Sequence, residues 1–274
     1  MLVPSIQRVL LAYKAKHHIE TKDGEKAVVY EYTDAHHTRS QREKANRVEG
    51  LRRDLPKLQK KYRADLSSDD ARTRLTALAV ALLDETYERI GNDGSAEENE
   101  HYGVTTWEKK HLSFSKGKAI LKYVGKSGVD HVKEVTDAKT VSALKEAVKG
   151  KKYSDRILCS IDEEDECTVG AGDVNEYLSE FEITAKDLRG LHANEEMKER
   201  LKEIRAKGGK LPLDKKEKEK LLKEEFKKAL EGAADAVGHA PSMLRSSYLV
   251  PGMEKLYLSE GRVLERLIEA SLNY

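Results

Sequence analysis

Apolar residues in this chain come in short amphipathic stretches separated by charged or glycine-containing breaks. Residues 5–13 read as a short helix, followed by a charged turn at Thr21-Lys22-Asp23-Gly24 and a strand over 27–32. Between Arg39 and Lys61, Val48, Leu51, Leu55 and Leu58 recur at helical spacing, with Pro56 expected to break or bend the helix. Ser67-Ser68-Asp69-Asp70 then has the character of an N-cap. Behind it, Leu75, Leu78, Leu82 and Leu83 extend one apolar face as far as Tyr87, predicting a long buried helix that ends near Gly91.

From Gly103 to Val135 the period changes to that of strands: 104–107, 111–114, 119–124 and 129–135, with turn signals at Gly117 and at Gly125-Lys126-Ser127-Gly128. A small antiparallel sheet is expected, with Lys126 in or beside a hairpin turn. Helices resume at Asp137, with Val141, Leu144 and Val148 on one face, and at Asp173 to Glu180; another starts at the capping box Thr184-Ala185-Lys186-Asp187. Residues 195–228 alternate Lys and Glu at helical spacing and are interrupted by Gly208-Gly209 and Pro212. They read as a solvated helical hairpin carrying i,i+4 ion pairs, with a partly basic arm lying over a polyanion as the other reading. The fold class is α+β and mainly α-helical. Residues 1–66 are expected to form an N-terminal helical and short-strand segment leading into the main domain. That main domain is expected over 67–274, with the β-hairpin region at about 103–135, the charged helical hairpin at about 195–228 and a C-terminal segment that carries Tyr248.

At 274 residues the chain can bury one or two cores without disulfides or metals. No window approaches the roughly 18 to 20 apolar residues of a membrane span. The first residues lack the layout of a secretory signal, and the only cysteines are Cys159 and Cys167, so the chain reads as intracellular with reduced thiols. Charged residues make up 36%, yet fifty basic and forty-nine acidic side chains leave a formal charge of only +1. That balance does not exclude a polyanion as partner, because phosphate contacts depend on local placement rather than on the sum. There is no Walker loop, metal-ligand cluster or dinucleotide fingerprint, and no metal or cofactor is expected.

The candidate chemistry centres on Tyr248, nine residues after His239 in Gly238-His239-Ala240-Pro241-Ser242-Met243-Leu244-Arg245-Ser246-Ser247-Tyr248. A tyrosine attacks phosphorus only where the phosphate charge is neutralised and the departing alkoxide receives a proton. Arg89, Arg189, Lys126 and His239 supply residue types for those tasks, which points to covalent chemistry on a phosphodiester.

Four ordered motifs carry a resemblance: Glu88-Arg89-Ile90-Gly91-Asn92 with Glu98-Asn99 and Tyr102-Gly103-Val104-Thr105-Thr106; Tyr123-Val124-Gly125-Lys126-Ser127-Gly128; Thr184-Ala185-Lys186-Asp187-Leu188-Arg189; and Val237-Gly238-His239-Ala240-Pro241 leading to Ser247-Tyr248. With them the chain resembles the catalytic domain of type IB DNA topoisomerases, from about Tyr30 to Tyr257. The resemblance implies the DNA breaking-rejoining fold, and relaxation of supercoiled DNA through a 3′-phosphotyrosyl intermediate without ATP or metal. It also implies that Tyr248 is the nucleophile, Arg89, Arg189 and His239 contact the phosphate, Lys126 protonates the leaving 5′ oxygen, and Lys186 is an auxiliary proton relay. Double-stranded DNA is the partner so implied, engaged by a monomer. Arg39, Arg42, Lys44, Arg47, Arg52 and Arg53 form a candidate contact strip, which a solvated helix face explains nearly as well.

Two alternatives stay open at this stage: a tyrosine recombinase with the same chemistry, and a non-catalytic DNA-binding relative. Against the first, recombinases carry His-x-x-Arg where this chain has Lys186-Asp187-Leu188-Arg189; against the second, every candidate position holds a suitable residue type. The family often continues after the second arginine with Thr and an aromatic, whereas this chain has Gly190-Leu191-His192. Family members also usually carry an N-terminal DNA-clamping domain, and only about 26 residues precede the first strand expected here. The expectation is a missing or separate clamp, with weak, salt-sensitive binding.

Overall fold

The computed structural model describes residues 13–20, 26–160 and 168–265. The chain begins with an antiparallel hairpin of β1 (Tyr13–Glu20) and β2 (Lys26–Tyr32), followed by the long helix α1 (Asp34–Asp65) and then α2 (Ala71–Thr86). The short α3 (Asp93–Asn99) precedes a three-stranded antiparallel sheet in the order β3 (Leu112–Ser115), β4 (Lys118–Gly125), β5 (Val129–Val135). The helices α4 (Ala138–Ala147), α5 (Ala171–Ser179), α6 (Ala185–Lys207), α7 (Lys215–Ala236) and α8 (Met253–Glu260) follow, with a single helical turn at Pro241–Met243 and a π turn at Leu244–Tyr248 between the last two. The protein is mainly helical with a small antiparallel sheet, as expected.

Local chemistry accounts for most of these boundaries. The Asp70 carboxylate accepts from Thr73 N at 2.8 Å and starts α2; Asp137 accepts from Lys139 N and Thr140 N and starts α4. Thr184 and Asp187 form a reciprocal capping box at the start of α6. β4 alternates buried Ala119, Leu121 and Tyr123 with outward positions, the period of a sheet that faces a core on one side. That core surrounds α2, which is apolar nearly all round and buries Leu75, Leu78, Leu82 and Leu83 between α1, α5 and α6.

Several expectations are corrected. Pro56 does not break α1, which runs unbroken through it. One intrahelical bond is lost there, but the ring sits on an exposed face while Val48, Leu51, Leu58 and Tyr62 anchor the opposite face in the core. α2 ends at Thr86 rather than near Gly91, because Tyr87 takes a left-handed conformation (φ 59°) and releases the following residues into an extended path. Residues 104–106 form a 3₁₀ turn rather than a strand. Val104 N and Thr105 N donate to Arg89 O and Ile90 O, at 2.9 and 2.7 Å, rather than to a neighbouring strand. Of the helix read over 5–13, Tyr13 instead begins β1 and the rest lies outside the described residues, as do the 21–24 turn and Cys167. Cys159 is a free thiol.

The charged stretch forms a true helical hairpin. α6 and α7 turn back over residues 208–214, with Glu225 accepting from Arg205 Nη1 and from Tyr257 O–H at 2.7 Å on the buried side. The exposed side carries ion pairs such as Lys223–Glu219 and Arg200–Glu196. Among the described residues no helix is long and apolar enough to cross a membrane.

Candidate active site

Arg89 lies on the extended segment released by Tyr87, and its backbone is clamped from two directions. Its carbonyl accepts from Val104 N at 2.9 Å, and Thr105 fastens the next residue, with both its N and its Oγ1 on Ile90 O. The clamp needs its two glycines: Gly91 takes φ +106°, and a Cβ on Gly103 would fall 2.6 Å from Gly91 N and 2.8 Å from Arg89 O. This close approach is the physical content of the Arg-Ile-Gly…Tyr-Gly-Val-Thr-Thr motif.

Arg189 sits one turn inside α6 with its guanidinium 3% exposed. Its Nη2 donates to Val237 O and lies 4.0 Å from Glu88 Oε2. Nε and Nη1 are buried without a protein partner. Burial lowers its basicity from the ordinary value, opposed by Glu88 and by the nearby Tyr248 phenol.

His239 follows a left-handed Gly238 (φ +64°) just beyond α7, with its N–H bonded to Ala234 O at 2.8 Å. Arg89 Nη2 lies 3.1 Å from His239 Nδ1. A guanidinium is donor only, so Nδ1 accepts and the ring proton resides on Nε2. Burial, reinforced by the charges of Arg189 and Arg89, pushes His239 down to about 3 and keeps it neutral. Its Nε2 is also buried with no protein partner.

Tyr248 ends a single π-helical turn, Leu244–Tyr248, and its ring lies 4.5 Å from that of His239. The turn is held from beneath. Asn194 Nδ2 donates to Tyr248 O at 2.9 Å while its Oδ1 accepts from Val250 N at 2.8 Å; Lys44 Nζ donates to Ser247 O at 2.6 Å and to Leu249 O at 3.3 Å. Burial, with Lys186 nearby, lowers Lys44 to about 8.

The fold therefore brings Arg89, Arg189 and the His239–Tyr248 stretch together from three separate segments of the chain. Lys126 is exposed in the 3₁₀ turn between β4 and β5, and Lys186 is exposed on the first turn of α6 beside Lys44. Within the strip on α1, Lys44 is directed at the carbonyls around Tyr248. Arg47 pairs with Asp187, Arg52 with the buried Glu49 and Arg39 with Glu43, while Arg42 and Arg53 are exposed.

The pocket has the donors for one compact anion next to a phenol. This arrangement accompanies a match over most of the chain: residues 33–261 fit the family described as eukaryotic DNA topoisomerase I, catalytic core. The chain belongs to this family. Membership makes it a type IB DNA topoisomerase whose partner is DNA. It is also similar to the DNA topoisomerase 1B of Acanthamoeba polyphaga mimivirus, with 25% identity over 238 residues covering 83% of this chain and 68% of the viral protein.

Within this topoisomerase, sequence reasoning passed over several residues that complete the pocket. Glu88 was visible only as a letter of the motif; it is 3% exposed and accepts from Arg89 N at 3.2 Å. Its carboxylate lies 2.9 Å from His131 Nδ1 and 3.2 Å from Lys133 Nζ. Burial alone would raise its pKa, but the bond to His131 and the charges of Arg189 and Lys133 outweigh it and hold the carboxyl down at about 2. Asn194, fully buried five residues after Arg189, gave no sequence signal beyond an amide on an otherwise apolar face.

Proposed function

We propose that this topoisomerase relaxes supercoiled duplex DNA by transient cleavage of one strand through a 3′-phosphotyrosyl bond to Tyr248. The observation that carries the reading is the convergence beside Tyr248 of three buried donors without protein partners: Nε and Nη1 of Arg189, and Nε2 of His239. Each such group forfeits about 1–3 kcal/mol when left unpaired, and a phosphate oxygen seated among them recovers that deficit.

In the forward step the Tyr248 phenolate oxygen attacks phosphorus, a P–O(Tyr) bond forms and the bond from phosphorus to the 5′ oxygen breaks. The phenol loses one proton and the 5′ oxygen gains one. Arg189 and Arg89 face the non-bridging oxygens as planar donors that keep their charge, and neutral His239 offers a third N–H through Nε2. Because the phenol has a reference pKa of about 10 and the alkoxide it displaces is far more basic, departure needs a proton, which Lys126 on its turn supplies. Lys186, exposed near Lys44, serves as a relay to that region. Resealing is the reverse attack by the 5′ hydroxyl. One phosphoester replaces another, so no nucleotide triphosphate is consumed. Between the two steps the free end rotates about the intact strand and releases torque.

The test is relaxation of negatively supercoiled plasmid in EDTA without ATP, by wild type and by Tyr248→Phe. Wild type should give relaxed topoisomers and the variant none; relaxation that persists in the variant contradicts the assignment of the nucleophile.

A further inference from the structure

The hairpin that carries Lys126 presents its turn to solvent, and Val129 and Val132 on β5 are 52% and 62% exposed. A general acid must nevertheless be held within a fraction of an ångström of its target, which requires a rigid support behind it. That support is visible on the face of β5 opposite Val132. The His131 side chain, 8% exposed, stacks on Tyr123 at 5.2 Å and 9° and lies between two glycine backbones. A Cβ on Gly125 would fall 2.6 Å from its Nε2, and one on Gly238 would fall 2.5 Å from its Cε1. Gly125 immediately precedes Lys126 and Gly238 immediately precedes His239. The imidazole thus fills the space between the proton-donor turn and the phosphate-binding turn.

Glu88 anchors this wedge. Its carboxylate holds His131 Nδ1 at 2.9 Å and Lys133 Nζ at 3.2 Å, and Lys133 also donates to Ala236 O at 2.8 Å. Two side chains of β5 are therefore tied to the residue next to Arg89 and to the end of α7. In isolation a two-strand turn of this kind moves freely; tied here, it moves with the phosphate pocket.

We propose that His131, anchored by Glu88 with Lys133 as a second tie, is a positioning residue for the leaving-group proton transfer, acting through the Lys126 turn rather than on the phosphate. The proposal rests on the reading of Lys126 as the proton donor. It extends that reading by assigning work to a buried bracket which touches neither the nucleophile nor the departing oxygen.

A duplex with sulfur in place of the bridging 5′ oxygen at the cleavage site separates the possibilities. A thiol has a reference pKa of about 8.5, so the thiolate departs without a proton donor. Single-turnover cleavage of the ordinary and sulfur-bridged duplexes is measured for wild type, Lys126→Ala, His131→Ala, His131→Asn and Arg189→Ala. On the ordinary duplex, Lys126→Ala should lose about 10²- to 10⁴-fold, the range of general-acid contributions. His131→Ala should lose about 10- to 100-fold, as expected of a misplacement near 1 Å. Both should return to within a few-fold of wild type on the sulfur-bridged duplex, which also shows that the variants are folded, whereas Arg189→Ala should stay slow. His131→Asn, whose amide can keep a polar contact with Glu88, should fall between wild type and alanine on the ordinary duplex. If His131→Ala is insoluble, Lys133→Met removes the second tie and enters the same comparison.

If Lys126→Ala stays slow on the sulfur-bridged duplex, the proton-donor reading itself falls and takes the proposal with it. If Lys126→Ala recovers while the His131 variant is equally slow on both duplexes, or unaffected on both, Lys126 keeps its role and the positioning proposal is overturned.

Discussion

At the scale of single residues, the pocket is built from groups whose protonation is fixed by their buried neighbours. His239 is neutral, held down at about 3 by desolvation and by the two arginines, and Glu88 is ionised, held at about 2 against its own burial by His131, Arg189 and Lys133. Both folded values lie below the unfolded ones, so in each case the unfolded chain binds more protons as the solution is acidified. The His239 contribution is complete above about pH 6.5 and is lost between there and about 3; that of Glu88 is complete above about 4.5 and is lost toward about 2. Stability should therefore rise with pH from 3 to 6.5, and His239→Gln should flatten that rise. Melting temperatures recorded every half pH unit for both proteins check this, and an unchanged slope in the variant contradicts it. The candidate residues were legible because Tyr248, Arg89, Arg189, His239 and Lys126 each stand in a motif. Glu88 stood in a motif without a role and His131 in none, because what they do comes from a contact between positions 43 residues apart that only the folded hairpin creates.

At the scale of elements, geometry is set by where helices stop. α2 ends at a left-handed Tyr87, α7 at a left-handed Gly238, and a π-helical turn delivers Tyr248; each irregularity presents one chemistry-bearing residue. Periodicity located the helices and β3–β5 well, since apolar faces determine both. It overshot the end of α2, misread 104–107 as a strand and left open a break or a bend at Pro56, where the helix runs on unbroken, because those outcomes turn on tertiary hydrogen bonds and on the anchoring of the opposite face. Asn194 is the clearest case of an element held by one buried amide. Its Nδ2 donates to Gly190 O and Tyr248 O, and its Oδ1 receives Val250 N. Asn194→Ala leaves Val250 N–H buried and unpaired, which should cost about 1–3 kcal/mol in urea unfolding. The same variant should slow cleavage while duplex affinity stays within a few-fold of wild type. A variant as stable and as fast as the parent contradicts the role assigned to the amide.

At the scale of the whole molecule, a formal charge of +1 is compatible with DNA as the partner because phosphate contacts depend on where individual cations sit rather than on the sum. On α1, Arg52 donates to the buried Glu49 at 2.9 Å, whereas Arg53 on the next position is exposed. If Arg53 meets a phosphate, Arg53→Gln should lower the slope of log affinity against log salt by about 0.9, and Arg52→Gln should leave it nearly unchanged. Titrations of duplex binding at four salt concentrations decide this, and equal effects from the two substitutions contradict it. Composition alone could not place that distinction, since it depends on which arginine a carboxylate reaches. One covalent bond decides the chemistry, and it is read by trapping the protein on duplex DNA with denaturant, digesting both polymers and locating the nucleotide by mass spectrometry. A nucleotide joined through its 3′ phosphate to the phenol of Tyr248 is the expected product; attachment to another residue, or through a 5′ phosphate, contradicts the proposed cleavage.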